Sequence, residues 1–123
     1  MKELQNLMNE IAEWSDATFG YGQRNPAILH HLIKEVPELI EAIEKYQKGN
    51  NLKTPYKEAN ELLKDVWEEY ADCFMLLIDS ANHFGLSAER LLYNTKKKLE
   101  VNKKRKWGKP DENGVVEHIK EEE

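Results

Sequence analysis

The sequence predicts an all-α fold, a single-domain bundle of about four main helices, and three observations carry that reading. Apolar residues recur at three- and four-residue spacing through long stretches, as helices with one buried face require. No alternating run is long enough for a useful strand, GVVEHI at 114–119 being the nearest. The composition, 33% charged and 40% hydrophobic, suits solvated outer faces around one core. At 123 residues the chain has the size of one ordinary domain, 1–123. An all-helical chain this short is expected to bury remaining apolar surface in a partner subunit.

The first helix is predicted from Lys2 to about Ser15, with Leu4, Leu7, Met8, Ile11 and Trp14 on one stripe. Phe19, Gly20, Tyr21 and Gly22 then read as a structured loop. A second helix starts near Pro26 and carries Leu29, Leu32, Ile33, Val36, Leu39, Ile40, Ile43 and Tyr46. Pro37 inside it removes one backbone hydrogen bond and is expected to bend it, and Lys48-Gly49-Asn50-Asn51 stops it. The third helix begins around Pro55 and runs to His83, with Gly85 as its stop. From Cys73 on it is apolar nearly all round, the pattern of a central, buried helix. Ser87 is a suitable N-cap for a fourth helix ending near Trp107, and residues 110–123 form a tail of turn with a frayed end.

Several function classes fall away early. The longest uninterrupted apolar run, Cys73 to Ile78, is far short of the roughly 20 residues that span a bilayer. The N-terminus has acidic residues where a signal peptide needs its apolar stretch, so a cytoplasmic location is expected. One cysteine, Cys73, makes neither an internal disulfide framework nor a cysteine-based zinc site.

The carboxylates carry the chemistry. Glu35 and Glu38 share a face of the second helix, and Glu69 and Asp72 share a face of the third. Spacing alone does not single them out, because Glu10/Glu13, Glu41/Glu44 and Asp65/Glu68 have it too. In an antiparallel hairpin, however, Glu38 and Glu69 lie roughly 15 and 22 Å from the turn, within about a turn and a half of each other. The four can then face one another at the edge of the core, where they repel unless a divalent cation lies between them. All-oxygen ligands favour Mg²⁺ or Mn²⁺, and no E-x-x-H pair is present for a di-iron bundle. Magnesium suits phosphate, and Lys96, Lys97, Lys98, Lys103, Lys104, Arg105, Lys106 and Lys109 form a basic stretch opposed only by Glu100. With Trp107 alone for aromatic interleaving and a net charge of −5, a short polyanion complexed with Mg²⁺ fits better than nucleic acid.

These residues resemble the MazG-like all-α nucleoside triphosphate pyrophosphohydrolases, marked by E-E-x-x-E on one helix and E-x-x-D on a later one. Here the motifs read Lys34-Glu35-Val36-Pro37-Glu38 and Glu69-Tyr70-Ala71-Asp72, with a K-x-x-x-N-x-x-R at Lys98, Asn102 and Arg105. Lys34 departs from the general pattern but suits the MazZ-like dATP/dGTP branch, which Trp14, Thr18-Phe19-Gly20, His31-Leu32-Ile33 and Trp107…His118 also resemble. The resemblance implies hydrolysis of purine deoxynucleoside triphosphates to the monophosphate and pyrophosphate, by a homodimer or dimer of dimers. It also implies Mg²⁺ held by Glu35, Glu38, Glu69 and Asp72, and a triphosphate tail bound by Lys98, Asn102 and Arg105. Glu38 is the expected acceptor of the attacking water's proton. Trp14 and Phe19 are candidates for stacking on the base, though both also suit core packing. Asp79 is a candidate acceptor for a base amino group, and His31 for contact with Glu35 or phosphate. The alternatives are the same chemistry on dCTP or dUTP, or a non-catalytic helical interaction domain. A histidine phosphotransfer bundle fits poorly, because Glu35 follows His31-x-x-Lys34 where that motif has glycine.

Overall fold

The computed structural model describes residues 2–20 and 25–120; Tyr21 and Gly22 of the expected loop and residues 121–123 of the end expected to fray lie outside the described residues. Four helices follow in order, α1 (Lys2–Phe19), α2 (Ala27–Gly49), α3 (Tyr56–Phe84) and α4 (Ala88–Lys104). No strand forms among the described residues, only an isolated bridge between Trp107 and His118. The fold is all-α, as the periodicity predicts. None of these helices is long and apolar enough to cross a membrane. The chain divides into two compact units, Met1–Ala88 and Glu89–Glu123.

In the first unit, α2 and α3 form the main helix pair and α1 packs on α3. The pair is antiparallel, and its register can be read from three levels. Near the turn, Gly49 meets Leu62 so closely that a Cβ there would fall 2.5 Å from the leucine Cδ1. Midway, Glu35 faces Glu69 and Asp72. At the far end, Asn25 Nδ2 donates to the Ser80 carbonyl (2.8 Å) and Ser80 Oγ donates to Asn25 Oδ1 (2.9 Å). α2 runs through Pro37 without interruption. Gly85 ends α3 at φ 105°, a left-handed conformation that glycine adopts without steric cost, and its N–H reaches the last carbonyls of the helix.

The core is small. Met8, Ile11, Ile28, Val66, Ile78 and Ala88 are its buried apolar residues. α1 is one turn longer than its apolar stripe predicts, which carries Phe19 onto the helix. α3 is less enclosed than its composition suggests: Ile78 is 1% exposed, but Phe74 and Leu77 are about half exposed. Trp67 and Tyr70 of α3 and Ile33 and Ile40 of α2 are half exposed or more as well.

In the second unit, α4 ends at Lys104, about a turn before Trp107, where the Arg105 N–H bonds back to Asn102. The chain then arches. Gly108 N–H reaches the Glu117 carbonyl (2.8 Å) and Ile119 N–H the Lys106 carbonyl (2.7 Å). Asp111 Oδ1 caps the turn by accepting from the N–H groups of Asn113 and Val115. The Trp107 and His118 rings meet edge to face, 6.0 Å apart.

Candidate active site

Helical spacing sets the side chains of the site. On α2, His31, Glu35 and Glu38 succeed one another at one-turn steps; on α3, Glu69 and Asp72 are one turn apart and Asp79 lies two turns further. The antiparallel register then brings the two rows together. One carboxylate oxygen each from Glu35, Glu69 and Asp72 lie within 4.8 Å of one another. Glu38 is outside that trio, but its carboxyl hydrogen-bonds that of Glu35.

This arrangement is electrostatically frustrated. The hydrogen bond with Glu38 does most to hold Glu35 above the usual carboxylate range; burial and the Glu38 charge add to it, while His31 opposes them. His31 Nε2 stands 3.2 Å from Glu35 Oε1. Burial raises Glu69 first, followed by the charges of Glu38 and Asp72. Burial also pushes up the Cys73 thiol, with the same four carboxylates reinforcing it. Glu69 Oε2 is buried and has no hydrogen-bond partner. An acceptor in that position lacks a positive group, and the donor set around it is oxygen only. Glu35, Glu69 and Asp72, with Glu38 alongside, therefore fit a hard divalent cation.

A cavity of about 180 Å³ opens from this cluster. Glu35, Asp72 and His31 line one part; Ile11, Trp14, Ser15, Phe19, Met75, Leu76 and Asp79 line the rest. Trp14 and Phe19 are not core residues. Each is just over half exposed, and their rings meet edge to face at 5.5 Å on the α1 wall. Asp79 is 2% exposed. The cavity thus combines carboxylates of the cluster with an aromatic pair and a buried carboxylate.

A more polar groove of about 270 Å³ is lined by Glu38, Glu41, Lys45, Asp65, Glu68 and Glu69, among others, toward the α2–α3 turn from the cluster. Lys98, Asn102 and Arg105 belong to the second unit. There Arg105 Nη1 donates to Asn102 Oδ1 (3.2 Å), Trp107 Nε1 donates to the Asn102 carbonyl (3.0 Å), and Lys98 is exposed.

Sequence reasoning missed His83, which ties Asp79 to Asp16 of α1. Its only sequence signal is its position one turn after Asp79 in a largely apolar stretch. The partner Asp16 is 67 residues away, and no local pattern marks it.

A family model described as dATP/dGTP pyrophosphohydrolase matches residues 51–123. The match includes Glu69, Asp72, Asp79, Lys98, Asn102 and Arg105; Trp14, Phe19, His31, Glu35 and Glu38 precede it. No curated protein and no solved structure matches the chain.

Proposed function

The chain belongs to the dATP/dGTP pyrophosphohydrolase family, a MazG-like family, and from that premise we propose that it hydrolyses purine deoxynucleoside triphosphates between the α- and β-phosphates. The products are the deoxynucleoside monophosphate and pyrophosphate. One observation carries the reading: a single cavity is lined both by acidic Glu35 and Asp72 of the carboxylate cluster and by Trp14, Phe19 and buried Asp79. A nucleotide needs both, with charge compensation at its phosphates and a flat apolar surface at its base.

Under this proposal Glu35, Glu38, Glu69 and Asp72 hold Mg²⁺, with Mn²⁺ as the alternative of the same ligand chemistry. The bound ion supplies Lewis-acid polarisation of the phosphate oxygens. Glu38, exposed and hydrogen-bonded to Glu35, accepts the proton of the attacking water. Trp14 and Phe19 stack on the base, and Asp79 accepts from its amino group. His31 keeps Glu35 oriented. Lys98, Asn102 and Arg105 neutralise the triphosphate and the leaving pyrophosphate.

The proposal extends to assembly as a homodimer or dimer of dimers. Ile33 and Ile40 of α2 and Trp67, Tyr70, Phe74 and Leu77 of α3 are each about half exposed or more, an apolar surface suited to a second copy.

Metal removal tests the proposal. Turnover of dATP is expected to vanish in excess chelator and to return on adding Mg²⁺. Undiminished turnover in chelator would remove the role given to the four carboxylates.

A further inference from the structure

Asp79 is held by a side chain that does not itself line the cavity. His83 follows it by one turn on α3, and its side chain is 13% exposed. The imidazole Nε2 is 2.8 Å from Asp16 Oδ1 on α1. Nδ1 is 2.9 Å from the Asp79 carbonyl oxygen and 3.0 Å from Asp79 Oδ1. Both ring nitrogens thus face oxygen acceptors. A neutral imidazole has one N–H and satisfies only one side; an imidazolium donates to both. Asp16 of α1 and Asp79 of α3 are the charged groups that face His83. Asp16 directly follows Ser15, and Ser15 and Asp79 both line the cavity.

We propose that His83 is a positioning residue of the nucleotide pocket, an imidazolium clamp that locks the α1 wall to Asp79 and makes base affinity depend on its proton. The inference rests on the proposed nucleotide role of the cavity and adds a proton-linked determinant of binding to it. Burial by itself pushes His83 down, but the hydrogen bonds to Asp16 and to the Asp79 carbonyl, with the two carboxylate charges, outweigh it and hold the group above its ordinary value. The sign follows. The clamp is complete below the ordinary histidine value of 6.5 and is lost as pH rises through the elevated folded one. Affinity therefore falls toward alkaline pH.

The probe is 2′-deoxyadenosine, which is uncharged, needs no metal and does not titrate near neutrality. Its affinity is measured by NMR titration of the full chain at millimolar ligand, from about pH 6 to about pH 9, the range that brackets histidine titration. Wild-type protein is expected to lose about tenfold in affinity across a one-proton step, the effect of one charge-assisted hydrogen-bond pair. His83→Gln, which cannot titrate, is expected to bind weakly throughout without that step. Because His31 also lines the cavity, the comparison of these two proteins isolates the His83 proton. Asp16→Asn removes the facing charge and is expected to move the step to lower pH, which keeps the test open if His83→Gln does not fold. Equal pH profiles for wild type and His83→Gln would overturn the clamp and leave the nucleotide pocket standing. No binding by wild type at any pH would overturn both.

Discussion

Asp72→Asn is expected to reduce pyrophosphohydrolase turnover on the order of a hundredfold or more while leaving helicity intact, as loss of a preorganised charge at a reacting phosphate does. Asp72 is exposed and contributes nothing to the apolar core, so the fold does not depend on it. Its carboxylate is one of three whose oxygens gather within 4.8 Å, and its charge helps raise neighbouring Glu69. Neutralising it relieves repulsion among carboxylates and, in the same step, removes one anionic ligand from the cation. The two effects separate experimentally. Without divalent cation the variant should be at least as stable as wild type, and with Mg²⁺ it should gain less stability than wild type does. Retained turnover in Asp72→Asn would show that the cluster is a solvated acidic face and not the reaction centre.

Ile78→Ala should have the largest effect on folding. Ile78 is 1% exposed, among the largest fully buried side chains, and it immediately precedes Asp79. Truncating a buried isoleucine to alanine costs about 2–5 kcal/mol, through lost transfer energy and the cavity left behind. In a domain whose total stability is about 5–15 kcal/mol, that is a large fraction. The urea midpoint should fall accordingly, whereas Leu52→Ala, at a fully exposed loop position, should leave it nearly unchanged. A loss below about 1 kcal/mol at Ile78 would mean that the small core is not the main support of the unit. The same unfolding curves test assembly. If two copies cover the open faces of α2 and α3, the midpoint rises with protein concentration.

The helices were legible because their apolar residues keep helical period, and Gly49 and Gly85 mark two of the ends. The carboxylate pairs were legible only as candidates. Glu41/Glu44 and Asp65/Glu68 have the same spacing, and what separates Glu35, Glu69 and Asp72 from them is the antiparallel register, which spacing along one helix does not encode. The depth of burial was misread where a helix is apolar on more than one side. Phe74 and Leu77 share the composition of a buried helix, yet both stay about half exposed while neighbouring Ile78, Asp79 and Ser80 are buried. Trp14 lies on the apolar stripe of α1 and Phe19 on its extra final turn, and periodicity cannot tell a core aromatic from one that lines an open cavity. The locks between distant segments, Asn25 with Ser80 and His83 with Asp16, were invisible. Each joins residues 55 or more positions apart through one or two hydrogen bonds.

Product identification tests the central claim most directly. The full chain is incubated with Mg²⁺ and, separately, dATP, dGTP, dCTP, dTTP and the ribonucleotides, and the released phosphates are resolved. The account predicts monophosphate and pyrophosphate in equal amounts, with dATP and dGTP turned over fastest. Release of orthophosphate and a nucleoside diphosphate, or no turnover of any triphosphate, would contradict it.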